Sequence, residues 1–318
     1  MHRGSRVVSP DIVSYECLEN ARLSHESARD LRRRATFAVN IAVADSAIRI
    51  AFSSLAASRW FATRFVDMRV ARDPSYAFYI VDEGARTCFW SDPGEARVWP
   101  FPAAPAPVMS FLADNAAMND FFRRGPYLGL HAAVVRAAGG PIAILGATTA
   151  GKTTTALACA QLGLQLFSDE RCILRSGMVF PFLRSPTLRA GGRRLLARDF
   201  PDDGSPFARI VHAPAVDGEV SLPASTLFAH AGPVTPEPLR AVAVIDGIGA
   251  QPSLREVDAY AVLPELAQAT SAPESGLDRV ARLLAELRDA RCFRLRLGRP
   301  RATAEALAQL PAGAESRA

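Results

Sequence analysis

The stretch with the clearest chemical content is Gly146-Ala147-Thr148-Thr149-Ala150-Gly151-Lys152-Thr153, followed by Thr154. It matches G-x-x-x-x-G-K-[ST], whose glycines let the backbone curl so that successive N–H groups converge on phosphate oxygens. Lys152 supplies a compact charge for the β- and γ-phosphates, and the Thr153 hydroxyl can ligate Mg²⁺. Residues 146–154 are therefore the candidate nucleotide-binding set. Lys152 is also the only lysine among the 37 lysines and arginines of the chain. A composition that otherwise writes arginine has kept lysine where a planar guanidinium fits badly.

A second group of interest is Ser168-Asp169-Glu170, at the end of a short apolar run, 164–167. An acid at the end of the strand that follows a phosphate-loop helix can hold a metal or serve as base for a nucleophile. The plain alternative is an ordinary turn or cap carboxylate. His131 lies on the run that precedes the loop strand, where it could also be an ordinary hydrogen-bonded strand histidine. The stretch 184–194 carries Arg184, Arg189, Arg193 and Arg194 with Gly191-Gly192. It reads as a flexible basic loop suited to closing over phosphates or an acidic substrate, or simply as a solvated one.

The elements that must position these residues follow from pattern. The run Ile142-Ala143-Ile144-Leu145 reads as a buried strand, and 154–162 as a helix ended by Gly163. Residues 128–136 read as one strand carrying His131, and 171–175 with 178–183 as a hairpin around Ser176-Gly177. Later come a buried strand at 241–245, amphipathic helices at 263–270 and 277–291, a half-buried strand at 292–297 and a last helix at 303–310. Before the loop, strand-like runs at 36–43, 47–52, 76–81, 87–90 and 96–99 make a small β-rich domain, behind an exposed helix at 15–34 and a loose tail. The proline-rich 102–107 reads as a linker. The expected domains are thus 1–107, for substrate or partner recognition, and 108–318, carrying the loop. A helix is expected at 108–123.

Composition narrows the class. The chain has 318 residues, 49% hydrophobic and 22% charged, with a net charge of +5, as for an ordinary globular protein. Arginines are scattered rather than massed with aromatics, so a nucleic-acid partner is not expected. Five cysteines, without a C-x-x-C pair, point to a reduced compartment and no thiolate metal site. With no transmembrane run and no signal-peptide core, the expectation is a cytoplasmic protein without a membrane partner. A homo-oligomer is compatible with all of this.

The strand 130–135 with His131, the glycine loop, and 163–170 with its acidic pair together resemble the HPr kinase/phosphorylase family. The resemblance covers about residues 126–310. The order of elements after 241 is similar to that of the smaller HPr-kinase-related proteins. Some of those accompany ribosomally made peptides, including lasso peptides, and phosphorylate a serine of the precursor. The resemblance implies an α/β fold of the phosphoenolpyruvate-carboxykinase/HPr-kinase type, a mixed, twisted sheet with the phosphate loop at its edge. It implies His131 close to the transferred phosphate, Asp169 as base for the acceptor hydroxyl, and Glu170 near the metal with Thr153 and Asp169. It departs from the family at Glu170 (an aspartate there), at Thr149 (often glycine) and at Thr154 (commonly an acid). The segment tied to the phosphorylase half is not found, so the resemblance does not extend to the reverse reaction or to HPr as acceptor.

The expected activity is a serine kinase using ATP, or another nucleoside triphosphate, and Mg²⁺ on a peptide or small protein. Lys152, Asp169 and His131 would be its catalytic residues. Two rival readings are a nucleotide-gated peptide-binding regulator or chaperone without transfer chemistry, and a small-molecule kinase.

Overall fold

The computed structural model describes residues 19–21, 25–84, 87–92, 96–99, 105–201, 208, 219–228 and 235–310. Two compact units emerge, Met1–Thr63 with Arg69–Phe121, and Arg64–Met68 with Phe122–Ala318. The boundary falls at 121/122 rather than at 107/108. Ala106 and Pro107, expected in a linker, instead open a helix, where proline's fixed φ and missing N–H are tolerated in the first turn. The loose tail, and parts of the proline-rich stretch, lie outside the described residues.

The first unit is a mixed sheet in the order β1-β6-β5-β4-β3-β2, made of β1 (Glu19–Ala21), β2 (Phe37–Val43), β3 (Ser46–Phe52), β4 (Tyr76–Asp82), β5 (Thr87–Asp92) and β6 (Ala96–Trp99). Its helices are α1 (His25–Arg34), α2 (Leu55–Arg64) and most of α3 (Ala106–Arg124). The exposed helix expected at 15–34 is cut to α1, and its earlier residues Glu19–Ala21 pair with β6 instead. The helix α2 was not legible, yet the pairing requires it. β3 and β4 run parallel, and parallel neighbours need a crossover rather than a tight turn.

The second unit is a mixed α/β structure with several sheets. Its strands are β7 (Leu128–Leu130), β8 (Ala132–Ala137), β9 (Gly140–Leu145), β10 (Gln165–Ser168), β11 (Cys172–Arg175), β12 (Met178–Phe180), β13 (Thr187–Arg189), β14 (Glu219–Ser221), β15 (Glu237–Pro238), β16 (Ala241–Ile248), β17 (Ser253–Val257), β18 (Thr270–Ser271) and β19 (Arg291–Leu297). The helices are α4 (Lys152–Gln161), α5 (Ala190–Asp199), α6 (Ala224–Leu227), α7 (Leu263–Gln268), α8 (Gly276–Glu286) and α9 (Pro300–Ala308). The larger sheet has the order β10-β8-β9-β16-β19-β17, and a second the order β15-β12-β11-β7-β18. β9, β16 and β19 are parallel neighbours, and β9 is buried along its whole length. The glycine loop therefore leaves an interior strand, not one at the side of the sheet. Ser176 and Gly177 take φ of 53° and 73°, as the two-residue hairpin between β11 and β12 demands.

The expected single strand 128–136 is two strands in different sheets, broken at His131. Its neighbour breaks too. β10 pairs with β8 in one sheet, β11 pairs with β7 in the other, and residues 169–171 form the corner between them. Both polypeptide corners thus lie where the sheets part, and they carry His131, Asp169 and Glu170. One core spans the two sheets, joining Leu128, Leu130, Val134, Leu145, Phe167, Leu174 and Val244 with Leu283 and Leu287 from the α8 side.

Among the described residues no helix is long and apolar enough to cross a membrane. Cys88, Cys159, Cys172 and Cys292 are buried free thiols.

Close packing at the first corner is testable. A Cβ on Gly129 of β7 would stand 2.6 Å from the Phe122 ring, and that ring is itself 1% exposed and unable to swing away. Gly129→Val should therefore cost about 1–3 kcal/mol of stability by overpacking, read by urea denaturation; an unchanged midpoint would contradict this packing.

Candidate active site

β9 brings the chain into the loop and α4 receives it. Gly146 sits where a Cβ would come within 3.1 Å of both Ala150 and Ile245, so a larger residue would push on both. Gly151, at φ 106°, precedes α4, and no side chain caps the helix. The first-turn N–H groups of α4 are thus left for a ligand at the positive end of the helix dipole. Ala150 N donates to Ala147 O at 3.1 Å and closes the turn of the loop.

Lys152 lies inside this curl, 8% exposed. Its Nζ donates to Gly146 O at 2.8 Å and Ala147 O at 3.1 Å. Burial pulls its pKa below the usual lysine range, and the Asp169 carboxylate partly opposes the shift. Thr149 adopts φ 67°, a left-handed conformation that a threonine rarely takes. That geometry explains why glycine suits this position of the loop.

Asp169 is 4% exposed. Its Oδ2 accepts the Thr187 N–H at 3.3 Å, and the Thr153 hydroxyl also donates to its carboxylate. Burial raises its pKa above the ordinary carboxylate range, against the opposing pull of Arg184, the two hydrogen bonds and Lys152. Its Oδ1 is buried without a hydrogen-bond partner. A buried lone-pair oxygen next to a threonine hydroxyl is costly as it stands and suits a hard cation. Thr153 and Asp169 thus fit the Mg²⁺ that the sequence implies. Among the described residues no cluster of three or more His, Cys, Asp and Glu side chains could hold a metal. A cation here would need water and phosphate oxygens to complete its shell, as Mg²⁺ commonly does.

Glu170 is half-buried and pairs with Arg184, whose side chain is 3% exposed. His131 donates its backbone N–H to Ala269 O at 2.8 Å. Lost hydration, then the charges of Lys152, Arg171 and Arg184, lower its pKa from 6.5 to about 4. The residue as a whole is exposed, which argues for a modest hydration loss. The three cations all push the same way, so the direction holds: the ring is neutral at pH 7.

The stretch 184–194 is not the open loop expected. Arg184 and Ser185 are buried, 187–189 is β13, and Ala190 begins α5. Gly192 allows α5 to press on α4, since a Cβ there would stand 2.6 Å from the Thr154 hydroxyl oxygen. Thr154 thus faces α5 as well as following the loop. Two features escaped sequence reasoning, the Thr187 N–H on Asp169 and the burial of Arg184. A lone arginine following Phe182-Leu183 was the only trace of the latter.

No family model matches the chain, and no curated protein does. Among solved structures, an HPr(Ser) kinase/phosphatase from Coxiella burnetii is similar at 11% identity and a TM-score of 0.24, over 54% of this chain and 85% of that one. That score is too low to establish a shared fold.

Two outcomes follow from the geometry. Thr149→Gly should be more stable than Thr148→Gly by about 1 kcal/mol, because only the first relieves a left-handed residue while both add the same unfolded-chain freedom. Equal stabilities in denaturant would contradict the strain. For His131, the unfolded chain binds more protons between pH 6.5 and about 4, so stability contributed by the neutral ring is lost as pH falls through that window. An NMR titration should place its midpoint below 6.5 in the native protein, and higher in Lys152→Met than in the native protein; a native midpoint at or above 6.5 would refute the assignment.

Proposed function

We propose that this chain is a phosphotransferase that uses ATP and Mg²⁺ to phosphorylate a serine hydroxyl on a peptide or small protein. The observation that carries the reading is that Thr153 and Lys152, both from the glycine loop, act on the buried Asp169 carboxylate, which keeps one oxygen without a hydrogen-bond partner. The threonine that ends the glycine loop and a carboxylate from a distant corner meet beside a buried lysine. That is what phosphoryl transfer requires, because its catalysis is mostly positioning and charge stabilisation.

The roles follow. The α4 N-terminal amides and Lys152 hold the phosphates, with the ammonium exchanging Gly146 O and Ala147 O for phosphate oxygens. Thr153 and Asp169 are the residues that would hold Mg²⁺, which when bound neutralises charge on the β- and γ-phosphates. Asp169 takes the proton of the acceptor hydroxyl. The alcohol oxygen forms the new bond to the γ-phosphorus, the bond to the β–γ bridging oxygen breaks, and ADP leaves. His131, neutral, can donate or accept a hydrogen bond near the transferred group without adding a charge. The acceptor class rests on the motif resemblance of His131, the loop and Asp169-Glu170, and on nothing in the comparisons.

Lys152→Ala should abolish nucleotide binding in calorimetry. Asp169→Asn should bind nucleotide yet lose transfer to peptide by about 10²–10⁴-fold, the usual contribution of a general base. Wild-type turnover in Asp169→Asn would remove it as base, and full nucleotide affinity in Lys152→Ala would remove the reading altogether.

A further inference from the structure

The strap 182–188 runs behind Asp169 and is packed throughout. Phe182, Leu183, Arg184 and Ser185 are 0%, 8%, 2% and 1% exposed. Its backbone is fixed at both ends, with Phe182 N donating to Phe167 O at 2.8 Å and Thr187 N to Asp169 Oδ2 at 3.3 Å. The Ser221 hydroxyl donates to Ser185 O at 3.4 Å, which holds the middle. Within this strap a guanidinium is buried, and a buried charge is tolerable only with a counter-charge in contact. The Glu170 carboxylate provides it.

We propose that Arg184 is a positioning residue whose guanidinium clamps Glu170, and that Glu170 serves this clamp rather than the cation. The clamp ties the strap to the corner 169–171, and so fixes the Thr187 N–H that orients Asp169. The cation is left to Thr153 and Asp169, where a buried oxygen lacks a partner. Arg184 therefore acts through Glu170 and Asp169, from a fixed place, and not as a mobile arm reaching for phosphate. The part concerning the cation rests on the kinase reading; the clamp does not.

A double-mutant cycle without nucleotide tests the clamp. Arg184→Met and Glu170→Gln should each lower Tm by about 5–10 °C, since the first leaves half-buried Glu170 without its counter-charge and the second takes a contacting carboxylate from a buried guanidinium. The double variant should lose clearly less than the sum, and Arg184→Lys should recover part of the loss. Additive losses overturn the clamp. Should Arg184→Met fail to fold, the same cycle with Arg184→Lys and Glu170→Asp decides. For the cation, the Mg²⁺-dependent gain in ADP affinity is measured. Glu170→Gln should change it by less than about threefold and Asp169→Asn should remove it; a tenfold loss in Glu170→Gln places Glu170 on the metal and overturns that part. In turnover, Arg184→Met should lower kcat while sparing KM for ATP, whereas a rise in KM alone would put Arg184 on phosphate. Native protein that binds no ADP with Mg²⁺ overturns the kinase reading and the cation part with it, while the stability cycle still decides the clamp.

Discussion

A carboxylate that is 4% exposed must be paid for in charge, and the second unit is arranged around that constraint. Desolvating Asp169 alone would drive it to protonate; Arg184, Lys152, the Thr153 hydroxyl and the Thr187 N–H hold it back. Lost hydration, with Lys152, Arg171 and Arg184, keeps the His131 ring neutral. Counting Lys152, Arg171 and Arg184 against Asp169 and Glu170, with His131 uncharged, the cluster is short of negative charge. A site in that state favours a polyanion, and a triphosphate with its metal is one that would balance it. Fold and electrostatics meet here because the two sheets part at this place. A continuous sheet would have sent His131 and Asp169 to separate strand interiors; at the paired corners both feel the charge of Lys152.

Much of this was legible in the chain and some was not, for identifiable reasons. The loop could be read because its chemistry is local: glycines, lysine and threonine stand in fixed order between an apolar run and a helix. The hairpin at Ser176-Gly177 was legible for a similar reason, since its second position, at φ 73°, calls for glycine. The change of sheet at His131 was not. Leu128 to Leu130 and Ala132 to Val135 are buried on both sides of the break, so no alternation of polar and apolar residues marks it. The helix α2 was missed because its sequence, LAASRWFATR, has little of an amphipathic stripe; only the parallel pairing of β3 with β4 requires it. Residues 184–194 misled in the opposite way. Arginine and glycine read as solvated loop, but Gly192 is there to let two helices touch and Arg184 is inside.

That last difference changes how the site would work. A basic loop that closes over phosphates supplies its charge late, and the cost of ordering it falls on every turnover. A packed strap has its charge and its Thr187 N–H in place before any ligand arrives, which is electrostatic preorganisation rather than induced fit. The part left to move is then small. Lys152 is held by Gly146 O and Ala147 O, at 2.8 and 3.1 Å, and both bonds can be exchanged for phosphate oxygens with little net change in hydrogen-bond count. The exchange favours phosphate because a full negative charge replaces a carbonyl dipole opposite the ammonium in a partly buried place, where Coulomb attraction is less screened than in water. A loop that stores its ammonium on its own carbonyls is therefore filled before binding and unblocked by it, with no larger movement demanded of the surrounding chain.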